Sequence, residues 1–256
     1  MKKNKYSYST IYYPTPKAKD GGFYISPKSI KWFVLLLVVG CLVYFFYFSS
    51  FFNLNNIIFE GEKNDQLIAE ASKLKGRNLL FISSDYEEKE LLKKMPNFKS
   101  LTFYKGLPDS VKITGELRKK SLVWLSEGKY YSVDDKGMLY EEINNFTNDG
   151  TFLIIEDKKN VPAQIGRRII SNDFIDFVKT IRDNFSLVTG QKITGMSIEE
   201  STYHIYVSTD ANWKAIFTLD RSASDQLEDL KLILTKARDS VKEYVDLRIE
   251  GRAYYK

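Results

Sequence analysis

The sequence contains few residues that could act as catalytic groups, and their spacing does not match that of known catalytic motifs. Two Ser-x-x-Lys sequences, Ser72–Lys75 and Ser126–Lys129, could each bring a lysine amine beside a serine hydroxyl on one helical turn. Neither is accompanied by the Lys-Thr-Gly or Ser-x-Asn elements that penicillin-binding enzymes require, so we interpret both as chance matches. Asp134 and Asp135 are adjacent, and adjacent residues of a strand point to opposite faces, which excludes an acid–base pair and indicates turn positions.

Cysteine and histidine chemistry lacks its usual residues. Cys41 is the only cysteine and lies inside an apolar run, so the sequence offers neither an intrachain disulfide nor a cysteine metal site. His204 is the only histidine, and the alternating residues around it predict a half-buried strand with a structural role for its side chain. Ser-His-Asp triads, Cys-His pairs and histidine-rich metal sites therefore lose essential members. We predict a protein that is not an enzyme and has no cofactor or metal.

The charge distribution excludes a nucleic-acid-binding protein. The chain has 256 residues and a net charge of +5, which by itself would favour a polyanionic partner. Residues 1–31, however, hold seven lysines against Asp20 alone, a charge of +6 that leaves the rest of the chain at −1. Because the part long enough to fold is nearly neutral, we predict no nucleic-acid partner.

A long apolar run follows the basic tail. The run Trp32–Phe52 has 21 residues without a charge, and at about 1.5 Å per residue this length crosses a hydrocarbon core about 30 Å thick. Its end offers no Ala-x-Ala-like cleavage site, so we predict an uncleaved anchor. Lys28 and Lys31 precede the run, and Glu60 and Glu62 follow it, which predicts a cytoplasmic N-terminus and extracytoplasmic C-terminal domains.

The elements after the anchor begin with strand, helix, helix, strand and strand. Asn64 is expected to cap the first helix, and Ser84 with Glu87 forms a capping-box pattern before the second. The segment Gly106–Asp109 predicts the turn between the last two strands. This order is predicted for residues 53–120.

After about residue 120 the pattern is mostly strands with two helices. One helix carries apolar residues from Phe174 to Phe185 at helical spacing, and the other starts at Ser222 or Ser224. The alternation from Tyr244 to Lys256 predicts an extended C-terminal segment. The other predicted strands are Leu122–Ser126, Tyr130–Val133, Met138–Tyr140, Thr151–Ile155, Ile193–Glu199, Tyr203–Ser208 and Trp213–Leu219.

Six short motifs follow one another along the chain. They are IIFEG at 57–61, GRNLL at 76–80, MPNF at 95–98, GLPDSVKI at 106–113, YSVDDKGML at 131–139 and VDLR at 245–248. In this order, directly after an apolar anchor, they resemble the bacterial division proteins FtsQ and DivIB over roughly residues 30–256. The first four are similar to parts of that family's POTRA module, and the last two to motifs of its second domain.

The resemblance implies an α+β protein in four parts. Residues 1–31 form a cytoplasmic tail, for which the composition predicts disorder, and residues 32–52 a single transmembrane helix. Residues 53–120 are expected to form a POTRA-like βααββ module. Residues 121–256 are expected to form a mixed, mostly antiparallel β domain with packed helices, ending in a C-terminal edge strand.

The resemblance also implies a role without catalysis, as a membrane-anchored scaffold of the division machinery. Such a protein links cytoplasmic, membrane and wall-side septation components, and its expected location is the cell membrane at the division septum. The implied partners are membrane lipid and other division proteins, especially small single-pass coiled-coil proteins of the FtsB/FtsL (DivIC/FtsL) type. At the C-terminal edge, where a partner strand would add to the sheet, we predict interface positions at Leu247, Ile249, Gly251, Tyr254 and Tyr255.

Two other classes of anchored protein share this topology. A cell-wall enzyme would need an acid or nucleophile, for which the sequence offers no convincing residue. A sensor of extracytoplasmic signals would need a cytoplasmic output domain, and a mostly polar tail of 31 residues is too short for one. The plain alternative for the C-terminal segment is an ordinary strand covered by its own chain.

Overall fold

The computed structural model describes Lys3 and residues 9–14, 26–148 and 150–256. Most of the tail 1–31, for which the composition predicts disorder, lies outside the described residues. The chain divides into two compact units, Met1–Ser50 and Phe51–Lys256.

The first unit contains helix α1 (Pro27–Phe48), 22 residues long. Ser26 caps its start, because the serine Oγ accepts a hydrogen bond at 3.1 Å from the backbone N–H three residues on, and Pro27 presets the first helical turn. Among the described residues, α1 is the one helix long and apolar enough to cross a membrane, with a mean hydropathy of 2.2. The helix ends before the apolar run does, because Ser49 adopts extended backbone angles.

The second unit begins with a small sheet packed against two helices. Its elements in chain order are β1 (Asn56–Gly61), α2 (Asp65–Ser72), α3 (Ser84–Lys94), β2 (Phe98–Gly106) and β3 (Ser110–Leu117). The strand order is β1-β3-β2, with β3 parallel to β1 and antiparallel to β2. Apolar side chains of both helices and the strands, among them Leu67, Leu91, Phe98 and Ile113, form one buried core. The order of elements agrees with the sequence prediction.

The helix starts in this sheet show one confirmed prediction and one correction. The Asn64 side chain caps α2 by accepting a hydrogen bond at 2.7 Å from the backbone N–H three residues on. The capping box predicted for α3 is wrong, because Ser83 rather than Ser84 is the N-cap residue and makes no side-chain capping bond. Glu87 pairs instead with Arg77, with 2.7 Å between Oε1 and Nη1. A charged donor holds a carboxylate more strongly than a neutral backbone N–H does.

The rest of the second unit forms a sheet of ten strands with two helices. In chain order the elements are β4 (Leu122–Ser126), β5 (Lys129–Val133), β6 (Met138–Ile143), β7 (Ile154–Asp157), β8 (Arg167–Arg168), α4 (Asn172–Thr189), β9 (Ile193–Ile198), β10 (His204–Thr209), β11 (Lys214–Thr218), α5 (Ala223–Ala237), β12 (Tyr244–Asp246) and β13 (Tyr254–Tyr255). The strand order is β13-β12-β11-β10-β9-β7-β4-β5-β6-β8. The pairing is mostly antiparallel, with parallel pairs at β4–β7, β7–β9 and β11–β12.

One face of this large sheet packs against helices, whereas the other is only partly covered, with Val123 and Ser132 among its buried residues. A row of paired residues that crosses the sheet faces the core shared with α4 and α5, and every member is buried: Tyr131, Trp124, Ile155, Met196, Val207, Ala215 and Val245. The adjacent row faces away from the helices and is exposed or half-buried: Tyr130, Leu125, Glu156, Ser197, Tyr206, Ile216, Asp246 and Tyr254. The alternation that predicted these strands therefore reflects helices on one side only.

A buried ion pair joins the small sheet to the large one. Arg118, just after β3, contacts the carboxylate of Asp134, and its Nε donates to the main-chain oxygen of Pro96 at 2.9 Å. The other oxygen of Asp134 accepts the backbone N–H groups of Lys136 and Met138 at 2.9 and 2.8 Å. The turn position predicted for Asp134 agrees with these bonds. The ion pair was not predicted, because its two residues belong to different sheets.

Candidate partner-binding edge

The last residues of the chain form one end of the large sheet, but not as the single extended strand that the sequence predicts. The segment Tyr244–Lys256 is a hairpin in which β13 folds back along β12. Its turn contains Gly251 at φ +68°, a left-handed conformation that residues with a Cβ rarely adopt. Arg252 donates its N–H to the main-chain oxygen of Ile249 at 3.2 Å within the turn. The apolar alternation predicted one continuous strand, although Gly251 is a residue typical of turns.

The hydrogen bonds of the hairpin decide which backbone groups are free at the edge. Tyr244 and Lys256 exchange both bonds, at 3.1 Å from the Lys256 N–H and 3.3 Å from the Tyr244 N–H. In an antiparallel pair the next residues along do not bond to each other, so the N–H and C=O of Tyr255 point away from β12. No other strand of the described residues pairs with that side of β13. Tyr255 therefore presents a donor and an acceptor to an incoming strand.

Four of the five predicted interface residues lie at the surface. The side chains of Ile249, Tyr254 and Tyr255 are 52%, 50% and 46% exposed, and Gly251 is exposed in the turn. Leu247 differs from them, because it is fully buried in the core of its own sheet. In this structure Leu247 is not accessible to a partner.

Two backbone hydrogen bonds hold Leu247 in place. Its N–H extends the β11–β12 ladder by donating to the oxygen of Ile216 at 2.9 Å. Its oxygen accepts from Nη1 of Arg221 at 2.8 Å, and the same guanidinium contacts Asp229 of α5 at 2.7 Å. Leu247 thus anchors the edge hairpin to the helix layer.

A charged pair lies beside the edge on the helix-free face. The guanidinium of Arg248 binds both carboxylate oxygens of Asp246, at 2.9 Å from Nε to Oδ1 and 2.7 Å from Nη2 to Oδ2. Burial raises the pKa of Asp246, but hydrogen bonds from the Arg248 side chain and backbone outweigh burial and hold that pKa below its usual range. Both charges therefore persist at neutral pH. The sequence carried a signal for this pair, since residues two apart on a strand share a face.

The two edge tyrosines point to opposite faces of the sheet. Tyr254 pairs with Asp246 and so lies on the helix-free face, whereas Tyr255 pairs with the buried Val245 and lies on the other. A partner strand added to β13 would meet one tyrosine on each face, beside the charges of Asp246 and Arg248 on one of them. The edge can therefore combine backbone pairing with side-chain selection.

Comparisons with known proteins assign no family to this chain. No family model matches it, and a search of curated proteins gives no match. The chemistry of the edge is consequently judged from its own geometry, which offers an open donor and acceptor at Tyr255 flanked by two half-exposed aromatic rings.

Proposed function

We propose that this protein is a non-enzymatic, membrane-anchored scaffold of the bacterial division machinery, similar to FtsQ and DivIB. One observation carries the proposal: a βααββ unit follows the apolar helix α1, and a strand-rich part follows that unit, in the order that the family resemblance implies. The scaffold would link cytoplasmic, membrane and wall-side septation components. Its location would be the cell membrane at the division septum.

The positions of the sequence motifs support the comparison. IIFEG coincides with β1 and ends at its last residue, Gly61. GLPDSVKI spans the turn from β2 to β3, and YSVDDKGML spans the turn from β5 to β6. VDLR covers the end of β12 and continues to Arg248. Motifs at strand ends and turns are expected where a family keeps one backbone geometry, so we interpret residues 53–120 as a POTRA-like module.

The flanks of α1 support an orientation with the N-terminus in the cytoplasm. Lys28 and Lys31 lie in the first turns of the helix, and no charged residue follows until Glu60. Basic residues concentrate on the cytoplasmic side of a membrane helix. Both sheets would then lie outside the cytoplasm, where a chain without an intrachain disulfide depends on its packed cores for stability.

The proposed partner contact is the addition of a strand to β13. The free N–H and C=O of Tyr255 provide the backbone pairing, and Tyr254 and Tyr255 provide aromatic contacts on both faces. A small coiled-coil membrane protein of the FtsB or DivIC type could supply such a strand from a segment beyond its coiled coil.

Imaging in the native host tests the proposal. A fluorescent protein fused to the N-terminus should give a band at mid-cell that appears with constriction. The matched control is the same fusion ended after Phe52, which keeps α1 but lacks both sheets and should label the whole membrane evenly. An even signal from the full chain throughout the cell cycle would refute the division role.

A further inference from the structure

A cavity of about 370 Å³ lies at the carboxyl ends of two neighbouring parallel strands, β7 and β9. The chain leaves these strands in opposite directions. After β7 it runs to β8 at the far end of the sheet, whereas after β9 it turns directly into β10. Such divergence leaves a crevice beyond the strand ends, which is where open sheets with parallel strands commonly bind ligands.

The floor and one wall of the cavity are apolar. Trp124, 4% exposed, lies at the base with Ile198 and Ile169, and Val161 and Ala163 form a wall. Val161 is 56% exposed, so its side chain is accessible to a ligand that enters the cavity. An apolar side chain that entered here would bury these groups without displacing any part of the core.

The wall is held in place before any ligand arrives. Ser126 donates its hydroxyl to the main-chain oxygen of Val161 at 2.9 Å. The buried carboxylate of Asp157 accepts the backbone N–H of Lys159 at 3.0 Å and that of Val161 at 3.2 Å. Since its wall is already ordered, the cavity avoids the part of the entropic cost of association that comes from ordering a loop.

The rim of the cavity is acidic. Glu199 and Glu200, in the loop from β9 to β10, line it together with Lys159. In the part of the chain that the structure describes, none of these three side chains takes part in an ion pair. Arg248 also interacts electrostatically with Glu200, but its charge is balanced by Asp246. The remaining two carboxylates against one ammonium favour a ligand that carries positive charge beside its apolar group.

We propose that this cavity is a second protein-binding site, which takes one apolar side chain of an extended basic segment. The apolar side chain lies over Trp124 between Val161 and Ile198, and a lysine or arginine next to it in the segment pairs with Glu199 or Glu200. The site is separate from the β13 edge, because β10, β11 and β12 lie between that edge and β9. It does not depend on the division role.

Peptide titration tests the proposal with the full chain in nanodiscs of zwitterionic phosphatidylcholine. The probe is acetyl-Lys-Leu-Lys amide, followed through tryptophan emission, to which Trp124 contributes from the cavity floor. We expect a saturable change with this peptide. The matched peptides acetyl-Lys-Ser-Lys amide and acetyl-Glu-Leu-Glu amide should bind on the order of tenfold more weakly, because each lacks one of the two recognised features.

Two variants separate the site from general charge attraction. The double change Glu199→Lys and Glu200→Lys should lower the affinity for acetyl-Lys-Leu-Lys amide by on the order of tenfold, since it reverses the charge of the rim. The control Glu228→Lys alters an exposed residue on α5 and should leave the affinity unchanged. Glu200 and Glu228 are exposed and Glu199 is half-buried, so folding is expected to persist. No saturation, equal binding of the acidic peptide, or equal affinity after rim reversal would overturn the proposal.

Discussion

The free backbone groups of Tyr255 give a sharp test of strand addition at β13. Replacing Tyr255 with proline removes the outward N–H, while the N–H of Lys256, which bonds to Tyr244, is kept. Proline is tolerated on edge strands where the missing N–H would face outwards. The variant Tyr255→Pro should therefore keep the hairpin but bind a partner strand more weakly.

The size of the effect follows from one hydrogen bond and one ring. A net intramolecular hydrogen bond contributes about 1 kcal/mol, which corresponds to about a fivefold change in affinity. Tyr255→Ala removes the half-exposed ring but keeps the N–H, so it isolates the contribution of the side chain. We expect Tyr255→Pro to bind about fivefold more weakly than Tyr255→Ala, and both to bind more weakly than the unchanged chain.

The assay is a calorimetric titration of the full chain in nanodiscs with the soluble segment of a coiled-coil membrane protein of the proposed FtsB or DivIC type. Tyr254→Pro serves as the matched variant, because that N–H faces β12 and its loss should open the hairpin itself. Equal affinities for Tyr255→Pro and Tyr255→Ala, with Tyr254→Pro weakened, would refute pairing at the outer side of β13. That result would show that the partner needs the folded hairpin but not the outward N–H of Tyr255.

Three further predictions concern stability. Asp134→Asn should lower the free energy of unfolding by about 3 kcal/mol in urea, because it leaves a guanidinium without its buried counter-charge. Gly137→Ala should destabilise far more than Gly128→Ala: both glycines have positive φ, costing about 1 kcal/mol, but only at Gly137 would a Cβ lie 1.9 Å from a main-chain oxygen. Asp246 has a lowered pKa when folded, so its pairing with Arg248 stabilises the fold above the ordinary aspartate pKa of about 3.9 and is lost as pH falls through the folded value. Thermal unfolding of Arg248→Met should therefore depend less on pH below about 4.

A matched variant or comparison serves as the control for each of these three stability predictions. Asp135→Asn changes an exposed neighbour and should shift the free energy of unfolding by less than about 0.5 kcal/mol. A similar loss for Asp135→Asn and the Asp134 variant would contradict the role of the buried pair. Equal losses for the two glycine variants would contradict the steric argument, and parallel acid profiles for Arg248→Met and the unchanged chain would contradict the assignment of Asp246.

Local signals in the sequence were enough to predict the order of elements in the small sheet. A cap at Asn64 and a turn at Gly106–Asp109 depend on residues close in the chain, and both occur as predicted. The capping box was wrong because Glu87 had a distant competitor, Arg77, that no local pattern shows. Local hydrogen bonds can be predicted from neighbouring residues, unless a charged residue from a distant part of the chain binds one of the groups instead.

The large sheet was less predictable, because strand order and parallel pairing depend on long-range contacts. Strand β8 (Arg167–Arg168) has no apolar alternation and exists only through its pairing with β6. At the candidate edge, Leu247 and Tyr255 were both predicted as interface positions, although Leu247 is fully buried and Tyr255 is half exposed. A residue's spacing indicates which face it occupies, whereas its exposure depends on whether another element packs there.

The large sheet ends on both sides in strands of only two residues, β8 and β13. An anchored protein is confined to a surface, where its copies meet far more often than they would in free solution. Long open strands under such confinement would pair with one another into continuous ribbons. A two-residue border has too few backbone groups to hold a second copy by backbone pairing alone, and the proposed partner strand would need side-chain contacts with Tyr254 and Tyr255 as well. Crowding of this chain at one place in a membrane should therefore leave its copies individually available.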